Sequence, residues 1–240
     1  MSDLTEDTFF NGAIKVLQDR HGYRFAVDAV ILSHFIKSKP GDRILDLGTG
    51  CGIIPLILAI RNPGIIISGV ELQSVLARLA KRNVKENNLE GRIRIFHLDM
   101  KLLSREIIGG AADLVVTNPP YRMARSGKVN PNEQKAIARH EIAITLGDLI
   151  NVAHRMLKAD GRFATIYPAQ RTADLLSAMR DSRIEPKRLR SVHSLPEEKG
   201  KLVLVEGVKE GRRGIVIDPP LIIYEEKRRY SRELQEMLTL

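Results

Sequence analysis

The stretch RILDLGTGCGIIPLILAIR, residues 43–61, decides the fold. Its first five residues are an apolar run typical of a buried strand, and its last nine have the length and composition of a buried helix. Between them lies DLGTGCG, residues 46–52. Glycines at this point leave room for a ligand near the backbone, where the first amides of a helix point outward. The stretch predicts a ligand-binding loop in an α/β domain, although alternating glycines can also serve only to form a tight turn.

The same alternation of strand and helix patterns continues along the chain, which is typical of βα units around a mostly parallel sheet. Strands are predicted at 43–47, 65–70, 92–96, 113–117 and 161–167, and helices at 53–61, 72–87, 147–158 and 172–180. The front of the chain, NGAIKVLQ at 11–18, predicts a short hairpin that precedes a helix within 27–37. Strand-like segments at 187–194, 201–211 and 212–226 predict antiparallel strands that close the sheet edge.

Length and composition favour one domain over residues 1–240 that binds a polyanion. The chain has 240 residues, 43% of them hydrophobic, and a net charge of +9 with 5% aromatics and no Trp. This charge favours nucleic acid over a membrane as partner. Cys51 is the single cysteine, which excludes a disulfide within one chain and a cysteine zinc cluster, so no metal site is predicted. No signal-peptide pattern and no long uncharged apolar stretch occur, and we expect a cytoplasmic protein.

An acidic residue after the second predicted strand indicates the class of ligand. Glu71 follows Gly52 by 19 residues, a position from which a carboxylate can accept hydrogen bonds from both ribose hydroxyls. A nucleoside-type cofactor is therefore expected. The glycine pattern G-T-G-C-G differs from the G-x-G-x-x-G that pyrophosphate loops prefer, so S-adenosyl-L-methionine (AdoMet) fits better than a dinucleotide.

The segment TNPPY, residues 117–121, ends the fourth predicted strand where open α/β sheets bind ligands. The exocyclic amine of adenine is a poor nucleophile that an enzyme must orient. The Asn118 side-chain carbonyl and the Pro119 backbone carbonyl can accept its two hydrogens while the lone pair faces a methyl donor. Pro119 and Pro120 make this pair rigid, and Tyr121 offers a face for stacking the base. The alternative is a Pro-rich turn without chemistry.

These motifs, taken in order, resemble those of the class I methyltransferases that carry NPPY and act on amino groups. The opening NGAIKVLQDRHGYRFAVDAVILSHFI, the RHE at 139–141 and the LIIYEE at 221–226 resemble the bacterial family that methylates adenosine 37 of a valine tRNA at N6. The resemblance spans nearly the whole chain. It implies a Rossmann-like fold with a mostly parallel seven-stranded sheet and helices on both faces, with a hairpin and helix in 1–40 covering the cofactor edge and a catalytic core in 41–240.

The resemblance also implies a set of site residues. Catalysis would rest on Asn118, Pro119, Pro120 and Tyr121. The residues implied for AdoMet are Arg24, Phe25, Asp28, Asp46, Gly48, Thr49, Gly50, Gly52, Glu71, Leu72, Asp99, Met100 and Asn118. For Asp99 the alternative is an acid that caps a turn, and for Asp28 an acid that favours the first turn of a helix. His140 we interpret as a loop or capping residue, not a base.

The expected substrate is an unpaired adenosine in the anticodon stem-loop of a tRNA. Glutamine methylation of a release factor is the second hypothesis, although those enzymes usually carry a helical domain before the glycine loop. An RNA-binding protein without catalysis is the third. The RNA contacts predicted from charge are Arg122, Arg125, Lys128, Lys135 and Arg139 in the loop 122–139, with Arg188 and Arg190 as secondary candidates. A solvated lid would have similar charge. No obligate protein partner is expected, and monomer and homodimer remain open.

Overall fold

A computed structural model of the protein describes residues 4–19, 27–119, 144–226 and 229–239. The strands are β1 (Leu4–Phe9), β2 (Ile14–Asp19), β3 (Arg43–Leu47), β4 (Ile66–Glu71), β5 (Ile93–His97), β6 (Ala112–Thr117), β7 (Leu157–Pro168), β8 (Ile184–His193), β9 (Leu202–Lys209), β10 (Val216–Ile222), β11 (Tyr224–Glu226) and β12 (Arg229–Tyr230). The helices are α1 (Val27–Phe35), α2 (Ile53–Arg61), α3 (Ser74–Glu86), α4 (Leu146–Met156), α5 (Thr172–Asp181) and α6 (Arg232–Thr239).

Eight strands form the central sheet in the order β10-β8-β9-β7-β6-β3-β4-β5. From β5 through β7 all neighbours run parallel, β9 runs antiparallel to both of its neighbours, and β10 pairs parallel with β8. β1 and β2 form a separate antiparallel hairpin, as do β11 and β12. The carboxyl ends of β5, β4, β3 and β6 therefore lie side by side at one edge of the sheet.

The apolar residues of the central strands pack on both faces, which explains their continuous hydrophobic runs. Ile44 and Leu114 face one cluster, which also contains side chains of α1, α2, α3, α6 and the β1–β2 hairpin. Leu45 and Val115 face a second cluster with side chains of α4 and α5. Strand neighbours in sequence thus point to opposite faces, and each face is covered by helices.

The predicted elements are found with end shifts of a few residues, and the expected number of strands in the sheet was wrong. Among the described residues the main sheet has eight strands, not seven, because β10 adds to the outer side of β8. The expected antiparallel pairing of C-terminal strands is present, because β9 runs antiparallel to both β7 and β8. The short connection 210–215 takes the chain from β9 past β8 at one end of the sheet, so β10 runs opposite to β9 and therefore parallel to β8. Pro219 and Pro220 are tolerated there because β10 is an edge strand.

None of the helices in the described part of the chain combines the length and the apolar character needed to cross a bilayer.

Gly69 of β4 fits a space in which a larger side chain would clash. A Cβ at this position would lie 2.8 Å from the Ile95 Cδ1 atom and 2.9 Å from the Thr49 Oγ1 atom. We therefore expect Gly69→Ala to lower the free energy of unfolding by about 1–3 kcal/mol through overpacking. Urea titration measures the change. Gly91→Ala is the matched control, since its Cβ would meet nothing within 4 Å, and an equal effect of both substitutions would contradict the clash.

Candidate active site

Four polar side chains come from the ends of four neighbouring strands. Asp46 lies in β3, Glu71 ends β4, Asp99 follows β5 and Asn118 follows β6. The register aligns these ends, because Leu47 of β3 pairs with both Val70 of β4 and Thr117 of β6. The sheet thus brings together residues that are up to 72 positions apart in sequence.

The glycine loop after β3 is closed by backbone hydrogen bonds to the end of β4. The amides of Gly48 and Thr49 both donate to the Val70 carbonyl, at 2.9 and 3.0 Å. Gly48, Gly50 and Gly52 have φ values of 74°, 59° and 86°, which disfavour residues with a Cβ. A Cβ at Gly48 or Gly50 would meet nothing within 4 Å, so open space lies next to the loop. The loop is shaped for the close approach of a ligand.

Glu71 joins the glycine loop to the start of α3. Its side chain is only 2% exposed, and its two carboxylate oxygens accept hydrogen bonds from the backbone amides of Gly50 at 3.0 Å and Gln73 at 2.8 Å. A carboxylate oxygen has more than one lone pair, so each oxygen can also accept a ligand hydroxyl. Glu71 therefore both orders the loop and offers acceptors to a ligand.

Asp46 is fully buried, and neither of its carboxylate oxygens has a hydrogen-bond partner among the described residues. Burial raises the pKa of Asp46 from 3.8 to about 7. The Thr49 hydroxyl lowers this pKa in part, and the Glu71 carboxylate raises it further. A buried carboxyl group without a partner costs stability, so its place is explained best by a ligand that carries donors or positive charge.

The residues after β4 and β5 form the side of the site predicted for a base. Leu72 is 40% exposed directly beside Glu71, and Met100 is half-buried. The Asp99 carboxylate accepts the backbone amide of Lys101 at 2.9 Å, at the start of the short 3-10 turn Met100–Leu102. Asp99 thus has the turn-capping role that was its alternative interpretation. A role of its second oxygen toward a ligand stays a prediction.

Asn118 and Pro119 are half-buried at the tip of β6. The preceding Thr117 is buried, and its hydroxyl donates to the Leu47 carbonyl at 2.8 Å, one residue before the glycine loop. This hydrogen bond ties the start of TNPPY directly to the end of β3. Several predicted site residues lie outside the described residues, and their predictions stay as they were: Arg24, Phe25, Pro120, Tyr121, Arg122, Arg125, Lys128, Lys135 and Arg139.

The two predicted RNA contacts that the structure describes have partners within the protein. Arg188 is paired with Asp218, and its guanidinium lies 4.3 Å from the centroid of the Phe35 ring. Both terminal nitrogens of Arg190 donate to the Glu233 carboxylate at 2.7 Å. Asp28 lies in the first turn of α1, as expected, and has an interaction partner in the protein.

Three residues that support the site were not found from sequence. Gly69 makes room for Thr49, Thr117 ties β6 to β3, and Asn83 of α3 donates to the Cys51 carbonyl in the glycine loop at 2.9 Å. A signal for Asn83 was available, because it follows Ala80 by three residues on the otherwise apolar face of an amphipathic helix. The partners of such a residue cannot be identified from its spacing.

Comparison with known proteins identifies the family to which the chain is similar. Residues 26–182 match the family model for the methyltransferase small domain. A protein of Porphyromonas gingivalis named tRNA1(Val) (adenine(37)-N6)-methyltransferase is 35% identical over 189 residues, which cover 76% of this chain and 73% of the relative. A protein of Dickeya chrysanthemi with the same name is 32% identical over 236 residues, or 92% of this chain and 88% of the relative.

A solved structure has the same fold at low sequence identity. The crystal structure of a predicted O-methyltransferase from Agrobacterium tumefaciens matches with a TM-score of 0.70 at 22% identity, and the match covers 88% of this chain and 94% of that one. The α/β methyltransferase fold expected from the motif order is thereby confirmed.

The raised pKa of Asp46 predicts how stability depends on pH. Between pH 4 and 7 the unfolded chain loses the Asp46 proton while the folded protein keeps it, so this group lowers the free energy of unfolding as pH rises. Asp46→Asn removes that dependence. From pH 5 to pH 8 the variant should therefore gain stability relative to the native protein, by an upper limit of about 3 kcal/mol.

Urea titrations at the two pH values measure this difference. The change between pH values is the relevant quantity, because an unpaired amide at position 46 carries its own pH-independent cost. Asp181→Asn, at the exposed end of α5, is the control for loss of a carboxylate. A parallel pH dependence of Asp46→Asn and the native protein would show that Asp46 ionises normally.

Proposed function

The chain belongs to the methyltransferase small domain family, and we propose that it transfers the methyl group of AdoMet to the N6 amino group of an unpaired adenosine in tRNA. The proposed position is nucleotide 37 of a valine tRNA, as in the names of the relatives from P. gingivalis and D. chrysanthemi. The observation that carries the proposal is the place of Asn118 and Pro119, directly beside the glycine loop at the carboxyl edge of the sheet.

The chemistry of the edge fits AdoMet as cofactor. The buried Asp46 carboxyl group has no hydrogen-bond partner among the residues that the structure describes, which suits the cationic end of this molecule, and a nearby positive charge would lower the raised pKa of Asp46. Gly48 and Gly50 leave space beside the backbone. The carboxylate of Glu71 has acceptor capacity for ribose hydroxyls beyond its two backbone hydrogen bonds. Leu72, Asp99 and Met100 follow on the side proposed for the adenine ring.

The amine acceptors are positioned by the neighbouring strand. Adjacent strands lie about 4.8 Å apart, and Leu47 and Thr117 are direct partners in β3 and β6. The residues that follow them, Gly48 and Asn118, therefore leave the sheet side by side. This arrangement allows one end of the site to hold a cofactor and the other to hold an acceptor group within a short distance.

In the proposed reaction Asn118 and Pro119 orient the amine and stabilise developing charge. The Asn118 side-chain carbonyl and the Pro119 backbone carbonyl accept the two amine hydrogens, which points the nitrogen lone pair toward the cofactor. When bound, AdoMet supplies an electrophilic methyl group. The two neutral acceptors stabilise the positive charge that develops on the nitrogen, and one amine proton leaves to solvent after transfer. Pro120 and Tyr121 would add rigidity and stacking of the base.

Recognition of tRNA is proposed to rest on charge around this edge. The net charge of +9 favours a phosphate backbone, and the basic residues of the segment 122–139 follow the amine acceptors closely in sequence. Arg188 and Arg190 are proposed only as secondary contacts, since an RNA phosphate would compete with Asp218 and Glu233 for their guanidinium groups. The substrate is the flexible anticodon loop, where an unpaired adenosine is displaced from its stack at low cost.

Asn118→Ala tests the proposed function. We expect kcat for methyl transfer to unmodified tRNA to fall by about 100-fold or more, because one of two acceptors for the developing charge is lost. The dissociation constant for AdoMet, measured by calorimetry, should change much less. Labelled AdoMet with total unmodified tRNA, followed by digestion and mass spectrometry, identifies the methylated nucleoside.

Asn62→Ala is the control, since Asn62 follows α2 and lies away from the carboxyl edge of the sheet. It should retain native activity. The proposal is supported if the native protein forms labelled N6-methyladenosine and Asn118→Ala does not. Undiminished transfer by Asn118→Ala contradicts the role of Asn118, and label found only in a protein acceptor would indicate glutamine methylation instead.

A further inference from the structure

A single buried amide, that of Asn83 in α3, joins the glycine loop to the N-terminal hairpin. Its side-chain nitrogen donates to the Cys51 carbonyl at 2.9 Å and to the Leu17 carbonyl of β2 at 3.0 Å. Its side-chain oxygen accepts the Leu17 amide at 2.8 Å. Asn83 is fully buried, so none of these hydrogen bonds competes directly with bulk water. Three separate segments of the chain therefore meet at one side chain.

The Cys51 carbonyl belongs to a peptide of the loop that can change its orientation. Cys51 stands between Gly50 and Gly52, both of which have positive φ. Because glycine tolerates a wide range of φ and ψ, the peptide between Cys51 and Gly52 is able to rotate at low steric cost. In the structure that peptide is held at both ends: the Gly52 amide donates to the Thr49 carbonyl at 2.9 Å, and the Cys51 carbonyl accepts from Asn83.

The orientation of this peptide affects the part of the loop that faces the site. Gly50 donates to Glu71, and Gly52 precedes the first turn of α2, whose amides point toward the carboxyl edge of the sheet. Loss of the Asn83 donor would leave the Cys51 carbonyl buried without a partner, and rotation of the peptide would then relieve the cost. Such a rotation would change the loop shape that a ligand meets.

Asn87, one helical turn later, provides a natural comparison. Its side-chain oxygen accepts the Lys15 amide at 2.9 Å, and its side-chain nitrogen donates to the Lys15 and Asn83 carbonyls, both at 2.7 Å. Asn83 and Asn87 thus hold alternate residues of β2 in the same way. Of these two side chains, Asn83 alone hydrogen-bonds to the glycine loop within the described residues, while both residues hold the hairpin.

We infer that Asn83 is a positioning residue that fixes the glycine loop in its ligand-binding shape through its hydrogen bond to the Cys51 carbonyl. This inference rests on the proposed function in one respect, since the ligand of the loop is taken to be AdoMet. Asn83 acts through the Cys51 carbonyl, without contact with the ligand. Its contribution is to cofactor binding, with little effect on the chemical step.

Asn83→Ala and the control Asn87→Ala separate this role from simple docking of the hairpin. We expect Asn83→Ala to raise both the dissociation constant and the KM for AdoMet about tenfold, with kcat within about twofold of native. Asn87→Ala should leave all three within about twofold. In the ligand-free protein, hydrogen exchange of the amides of residues 48–52 should be faster in Asn83→Ala and unchanged in Asn87→Ala.

Asn83→Asp and Asn87→Asp are a second pair for the case in which Asn83→Ala does not fold. Each aspartate keeps the size and the acceptor for the β2 amide, and each loses donors to two carbonyls. Equal effects within either pair, or an unchanged KM and unchanged loop exchange in the Asn83 variant, would overturn the inference. Native protein that fails to bind AdoMet would refute the proposed function, and the ligand-free exchange would still decide the role of Asn83.

Discussion

Two backbone amides, those of Gly50 and Gln73, donate to the buried carboxylate of Glu71, and the geometry of the candidate site depends on this pair of hydrogen bonds. The pair holds the loop after β3 and the turn after β4 in a fixed relation. A buried carboxylate with two amide donors satisfies the requirement that buried charge be hydrogen-bonded. Because β3 also pairs directly with β6, the position of Asn118 relative to the glycine loop is fixed as well.

The carboxyl group of Asp46 differs from that of Glu71 in its hydrogen bonding. Asp46 lies at the same edge with no hydrogen-bond partner in the described part of the chain, and burial raises its pKa to about 7. One carboxylate therefore organises the loop, and the other is kept at a cost to stability. Two adjacent acids with unequal environments are typical of sites that bind a charged ligand. The bound ligand provides the charge or hydrogen-bond donor that stabilises the buried carboxyl group.

The N-terminal hairpin contributes to the site through the helix that follows Glu71. Ile14 and Val16 of β2 are fully buried in the core cluster, so the hairpin is part of the main packing. The side chains of Asn83 in α3 and Asn87 directly after it hydrogen-bond to the backbone of β2, and Asn83 also donates to the glycine loop. The front of the chain is thus connected to the ligand loop through α3.

The sequence by itself determined the succession of strands and helices, the glycine loop, Glu71 and TNPPY, because periodicity, glycine and proline act through local backbone sterics. Only the tertiary structure decided the parallel edge strand β10, the capping bond of Asp99 and the partners of Arg188 and Arg190. It also decided the place of Asn83. Each of these depends on contacts between segments far apart in the chain, and a local pattern carries no information about which partner a polar side chain or an edge strand meets.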